Sequence, residues 1–358
     1  MKNITEIDKN FKVDDKVQRD GMKFYDIKEE PFRIYGVFHD GEKYRRMPKS
    51  VTDKVSVHVE TLSCNTAGGR VRFITDSPYI IIKANLPDTY NFGHLAKTSM
   101  CGFDIYVYNE GSEKYEKTII PPLMIENSYA GVCDFLDEFL GGPRERTVTV
   151  NFPLYGEVHE VYIGIKEGSV LKAAPDYKIE KPIVYYGSSI TQGGCANRPG
   201  LSYQAHISRR YDANYINLGF SGNGKGESAV AEYIAGLDMS AFVFDYDHNA
   251  PTIEHYEKTH EPFFKIVRKA HPDIPIIFMT RPKIRLCEDE LKRIEIAKRT
   301  YENAKKNGDN NVYFIDGREL MAFAGLEGTV DRCHPNDIGF YSMALRIYDE
   351  MDKFFEKA

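Results

Sequence analysis

Tryptophan is absent from this 358-residue chain, although it has 24 tyrosines and 21 phenylalanines. A ring-shaped ligand held by stacking must therefore rest on Tyr or Phe. No run of 18 apolar residues occurs, which excludes a helical membrane span. The opening Met1-Lys2-Asn3-Ile4-Thr5-Glu6-Ile7-Asp8 lacks the apolar stretch of a secretory signal, so a cytoplasmic location is expected. Excess basic charge is also missing: 47 Lys and Arg face 53 Asp and Glu, a net charge of -6. That balance turns expectation away from nucleic acid and anionic membranes as partners. Cys64, Cys101, Cys133, Cys195, Cys287 and Cys333 form no CxxC pair and are expected as free thiols in a reducing compartment. There is no HExxH, and His255 and His260 are five apart, off one helical face. No metal or other cofactor is expected.

What is present divides into two halves. Up to about residue 167, short alternating or β-branched runs are separated by turn signals. Val55-Ser56-Val57-His58-Val59, Val71-Arg72-Phe73-Ile74, Tyr79-Ile80-Ile81-Ile82-Lys83 and Phe103-Asp104-Ile105-Tyr106-Val107-Tyr108 are examples. So are Thr147-Val148-Thr149-Val150 and residues 158–165. The turn signals include Ala67-Gly68-Gly69, Asn109-Glu110-Gly111 and Gly141-Gly142-Pro143. This pattern predicts a β-sandwich, jelly-roll-like, over residues 1–170. Gly, Pro and charge mark the boundary at 167–182. From 181 to 358, five apolar strands alternate with helices, which predicts a three-layer α/β domain with a five-stranded parallel sheet. The strands are read at 182–186, 214–218, 241–245, 274–279 and 311–315, and the final helix at 335–355. Ligands of such sheets sit beyond the carboxyl ends of the strands.

Polar groups collect at those ends. Gly187-Ser188-Ser189-Ile190-Thr191 follows the first strand, and a serine on a tight turn is a candidate nucleophile. Gly219-Phe220-Ser221-Gly222-Asn223-Gly224 follows the second, where backbone N–H groups could face an oxyanion. Its spacing fits neither GxGxxG nor the Walker lysine pattern. Asp245-Tyr246-Asp247-His248-Asn249-Ala250-Pro251 follows the third. Asn249 offers a side-chain N–H; His248 is either a base or a packed histidine. Before the last helix comes Asp331-Arg332-Cys333-His334-Pro335-Asn336-Asp337. An Asp three residues ahead of a His can fold onto the imidazole and fix its tautomer. Pro335 suits the first turn of that helix. Nucleophile, oxyanion donors, base and orienter together are the parts for acyl transfer.

The second half resembles the SGNH hydrolases, the GDSL-type lipase/acylhydrolase superfamily, over residues 181–357. Ser189 stands in a Gly-Asp-Ser-like block and Gly222 in the oxyanion glycine block. Asn249 matches the asparagine of Gly-x-Asn-Asp, and Asp331 with His334 the final Asp-x-x-His-Pro. Gly102-Phe103-Asp104-Ile105-Tyr106 resembles the Gly-x-Asp-Leu-Tyr motif of a β-rich domain preceding one branch of these enzymes. The layout is similar to two-domain carbohydrate esterases. Ser188, Asp247 and Ala250 depart from the family blocks. The resemblance implies an SGNH, flavodoxin-like catalytic domain. It also implies a Ser189–His334–Asp331 triad with an oxyanion hole from Ser189, Gly222 and Asn249.

The expected activity is hydrolysis of short O-acyl esters, chiefly acetyl, on a small molecule or oligosaccharide. A thioesterase or lysophospholipase on the same site, or a non-catalytic sugar-binding protein, are the alternatives. Arg198, His248 and Arg281 are candidates for substrate binding, with surface or packed positions as the plainer reading of each. Cys195 and Cys333 are read as bystanders. The N-terminal half is expected to wall the cleft, and a homo-oligomer is compatible with the sequence.

Overall fold

The computed structural model describes residues 19–87, 92–108, 115–119, 124–125, 128–134 and 144–358. The turn signals at 109–111 and 141–143 lie outside the described residues.

Two larger antiparallel sheets dominate the described residues of the β-rich half, beside a short pair of Phe38–His39 with Tyr44–Arg45. One runs in the order Met22–Asp26, Glu160–Lys166, Tyr79–Asn85, Ser128–Asp134, Met124–Ile125. The other runs Leu171–Lys172, Arg70–Thr75, Arg146–Asn151, Asp104–Tyr108, Tyr115–Ile119, with Arg33–Tyr35 also pairing Arg70–Thr75. Side chains alternate between faces along a strand. Val71 and Phe73, Ile80 and Ile82, Ile105 and Val107, Val148 and Val150, and Ile163 and Ile165 therefore share one buried core between the sheets. One segment departs from its expected form: Val57–Ser63 is a helix. The β-branched run there suggests a strand, but the Ser56 side chain accepts the Val59 N–H and caps a helix start.

The second half is a parallel sheet of five strands: Ile179–Gly187, Ala213–Gly219, Ala241–Asp245, Ile276–Met279 and Val312–Ile315. Their spatial order is second, first, third, fourth, fifth. This is the flavodoxin-like order, whose direction reverses beside the first strand. Both sheet faces are covered, so the strands read as unbroken apolar runs. Ile183, Tyr185, Val243 and Ile277 pack with Tyr203–Tyr211 and Asp337–Met351 on one side. Val184, Tyr186, Phe244 and Phe278 pack with Ser228–Ala235, Ile253–Ala270 and Glu288–Lys306 on the other. The last helix begins at Asp337 with Asn336 as its cap, so Pro335 precedes it instead of opening its first turn. No helix among the described residues is long and apolar enough to cross a membrane. Cys64, Cys101, Cys195, Cys287 and Cys333 form no disulfide among the described residues.

Buried arginines tie the halves together. Arg46, from the β-rich half, donates to Asn217 O at 3.0 Å, Gly219 O at 2.7 Å, Asn65 O at 2.7 Å and Leu62 O at 2.6 Å. It thereby grips the carboxyl end of the second parallel strand. Arg70 reaches the same strand's start, donating to Asn214 Oδ1 at 2.8 Å and lying 3.8 Å from the centre of the Tyr215 ring. A third link runs the other way. Arg198 pairs with Asp104 at 2.8 Å and donates to Tyr106 Oη at 2.6 Å; Asp104 also accepts the Gly200 N–H at 2.8 Å. Asp104 and Tyr106 are the acid and tyrosine of the Gly-x-Asp-Leu-Tyr-like segment, whose role is thus to hold the loop after Ser189.

Removing one partner of a buried ion pair leaves an uncompensated charge. Asp104→Ala should cost about 3–5 kcal/mol in urea unfolding. Asp53→Ala, which breaks the exposed Lys49–Asp53 pair, should cost under about 1 kcal/mol. Equal losses in the two variants would count against the clamp.

Candidate active site

Ser189 opens a short helix, Ser189–Gln192, directly after the first parallel strand. Ser188 caps it, its side chain accepting the Ile190 N–H at 3.1 Å. Serine and aspartate serve equally well as N-caps, so the departure at Ser188 preserves the local turn. Gly187 is needed for a close approach: a Cβ there would stand 1.9 Å from Asp245 O. The turn thus sits between the first and third strands, at the switch point of the sheet.

His334 comes from the loop before the last helix. Its Nε2 lies 2.9 Å from Ser189 Oγ and its Nδ1 2.8 Å from Asp331 Oδ2. The second Asp331 oxygen accepts the His334 N–H at 2.7 Å and the Cys333 N–H at 3.0 Å. Arg332, at φ 68°, makes the left-handed step that folds this loop back. Burial opposes the Asp331 charge, but the His334 N–H, the imidazole and the Cys333 N–H outweigh it, bringing its pKa down to about 2. Cys333 is also pulled down, to about 5: burial works against it, and His248 and His334 prevail. His248 Nε2 stands 3.3 Å from its sulfur. The same thiolate is the largest influence on His334; with burial opposing and Asp331 assisting, the imidazolium is held up to about 9. Burial, with Asp331 and Cys333 adding to it, pushes the Cys195 thiol up to about 12, so it rests protonated.

Two of the oxyanion candidates, Gly222 and Asn249, meet at the loop after the second strand. Phe220 N–H goes to Gly187 O, Ser221 N–H to Gln192 Oε1, and the Asn223 and Gly224 N–H groups to Phe220 O. Gly222, at φ 68°, keeps an N–H without an acceptor among the described residues. Asn249 donates one amide N–H to Phe220 O at 3.0 Å, which fixes its side chain against this loop and leaves the other N–H. The Ser189 N–H lies at a helix N-terminus, where the first amides have no intrahelical acceptor.

The remaining candidates are placed differently. Arg198 is buried against Asp104 and Tyr106, in the link between the halves. Arg281 pairs with Glu290 at 2.6 Å beside Lys283. His248 abuts Cys333, one residue from His334. The residues that line the space at His334 are Phe92, His94, Leu95, Tyr155 and Ser221, around a cavity of about 100 Å³. Next to it, sharing Phe92, Tyr155 and Ser221, is one of about 330 Å³ that adds His58, Thr61, Leu62, Asn65 and Asn223. Sequence reasoning missed the members from the β-rich half, since nothing local marks them as facing a cleft. A cavity of about 540 Å³ around Arg285, Leu326 and Arg332 is larger but is lined by none of Ser189, Gly222, Asn249 or His334.

The sequence profile of the GDSL-like lipase/acylhydrolase family matches residues 180–351. That of an N-terminal domain of SGNH-type esterases matches 22–171. A structure from Bacteroides ovatus described as a GDSL-like lipase is 30% identical, over 93% of this chain and 97% of that one, with a TM-score of 0.82. A salicylyl-acyltransferase of a tetracycline biosynthetic pathway is 19% identical, over 94% and 98%, with a TM-score of 0.76. A family two carbohydrate esterase from Clostridium thermocellum, in complex with cellohexaose, is 16% identical over 80% and 92%, with a TM-score of 0.57. No curated protein matches the chain.

The protonation balance makes a directional prediction. To act as a base toward Ser189, His334 would have to be neutral, and a raised pKa delays this to high pH. Cys333→Ala removes the largest raising influence, so the acid limb of kcat/KM for ester hydrolysis should move to lower pH. A pH–rate profile with an unmoved limb would show that the thiol does not govern the imidazole.

Proposed function

Because the chain belongs to the GDSL-like lipase/acylhydrolase family, and so is a hydrolase acting on esters, we propose that it removes short acyl groups, acetyl first, from a carbohydrate. The observation that carries this reading is the hydrogen-bonded chain from Ser189 Oγ through His334 to Asp331. Ser189 attacks the ester carbonyl while His334 Nε2 takes its proton. Asp331 holds the imidazole by Nδ1 and offsets its positive charge. The N–H groups of Ser189 and Gly222 and the Asn249 amide receive the oxyanion. His334 protonates the leaving alcohol, then activates water to cleave the acyl-enzyme.

The substrate class rests on the shape and lining of the cleft. At about 100 Å³, the cavity at His334 falls below the few hundred Å³ usual for larger ligands, which favours a short acyl chain. The adjoining cavity combines polar His58, Thr61, Asn65 and Asn223 with the ring of the exposed Phe92. Hydroxyl-rich rings are recognised by this mixture of hydrogen-bonding groups and an aromatic face. The β-rich half, by this reading, walls the substrate cleft.

Ser189→Ala should abolish p-nitrophenyl acetate hydrolysis and fluorophosphonate labelling; activity near the wild-type level would end the serine mechanism. Asn249→Ala should lower kcat by about 10²–10³-fold. In an acyl-length series, kcat/KM should fall about tenfold or more from acetyl to longer chains. A preference for long chains would favour a thioesterase or lysophospholipase. Acetate release from acetylated oligosaccharides, with the Ser189→Ala protein as blank, tests the carbohydrate.

A further inference from the structure

We infer that the mouth of the cleft is also an inhibitory site for a soft divalent cation, zinc in the first place, held by His94, Cys195 and His334. The ligand atoms of these three residues lie within 4.8 Å of one another. Two imidazoles and a thiolate suit zinc, whose bonds of about 2.0–2.3 Å imply tetrahedral ligand separations of roughly 3.3–3.8 Å. With two nitrogens and one sulfur those separations are about 3.3–3.6 Å, so the set needs to close by at most about 1.5 Å. His94 can supply that movement: it is exposed, and its ring already lies 5.4 Å from that of His334. The sulfur is local to the same backbone, since Cys195 Sγ donates to His94 O at 3.4 Å. Water completes the fourth position.

The arrangement around His334 serves a metal as well as it serves a base. Asp331 occupies Nδ1, which leaves Nε2 as the ligand nitrogen and orients the ring. A carboxylate behind a histidine is the usual support of a zinc-bound imidazole. Binding forms three protein–zinc bonds, releases the Cys195 thiol proton to solvent and breaks the Ser189–His334 hydrogen bond. A second group, Asp331, Cys333 and His334, also has ligand spacing. To use Asp331 and His334 together, however, a cation would have to compete for the carboxylate that already holds Nδ1.

The inhibition, but not the binding, rests on the serine mechanism proposed above, so the two are measured separately. Cobalt added to the Ser189→Ala protein should bind once per chain with a thiolate-to-cobalt absorption band, which zinc displaces. Cys195→Ser should remove the band, and Cys333→Ser should keep it. In ester hydrolysis, Cys195→Ser should retain the metal-free rate and need at least tenfold more zinc for half inhibition. Absence of the band overturns the proposal. So does a band that survives Cys195→Ser and is lost in Cys333→Ser, since the cation would then sit on the other group. If Cys195→Ser fails to fold, His94→Ala gives the same binding readout. A normal band without any ester hydrolysis would refute the serine mechanism and leave the metal site standing.

Discussion

Arg46 has its whole guanidinium inside the protein, donating to four backbone carbonyls, two of them at the end of the second parallel strand. Burial pulls its pKa below the usual guanidinium range. Such a group is tolerated only where every N–H finds an acceptor, because an unmet buried donor costs about 1–3 kcal/mol and a charge more. The constraint is therefore geometric. The β-rich half must present Arg46 at the place where the strand carbonyls of the other half end. Arg70 and the Asp104–Arg198 pair repeat the condition at two more points. Together they set how the β-rich half lies against the parallel sheet.

The candidate site depends on that docking. Gln192, on the Ser189 helix, donates to Asn65 Oδ1 and Leu154 O of the β-rich half and accepts the Ser221 N–H. One amide side chain thus registers the Ser189 turn, the loop after the second parallel strand and the neighbouring half. Tyr155 Oη donates to Ser189 O at 3.3 Å while its ring lines the cavity at His334. The lining of the cavity at His334 and the Ser189 turn are held by the same contacts, and the half that supplies that lining contributes no candidate triad residue.

Departures from the family blocks are explained by local physics at two positions. Ser188 caps the helix that an aspartate would otherwise cap. Asp247 is buried and accepts the Arg281 N–H at 3.2 Å, while Arg293 donates to its carbonyl at 2.6 Å. Its carboxyl is raised, first by burial, with the Arg281 N–H and nearby cations opposing. It acts as a fastening of the third strand's end to the fourth.

By itself, the sequence determined what is local. Burial on both faces writes each parallel strand as an apolar run. The βα turns put polar residues after those runs. An Asp three places before a His meets its imidazole through one turn of backbone, as Asp331 and His334 do. The strand assigned at 55–59 failed for a related reason: β-branched composition was legible, but the Ser56 cap outweighed it. Only the tertiary structure decided the long-range partners. Ser189 and His334 are 145 residues apart, and a shared sheet brings them to 2.9 Å. Nothing around Arg198 in the chain distinguishes a pocket lining from an ion pair. Its partner, Asp104, stands 94 residues away on a strand of the β-rich half. Phe92, His94 and Tyr155 join the cleft only because the buried arginines dock one half on the other. Burial and charge pairing depend on what packs opposite, which no stretch of neighbouring residues records.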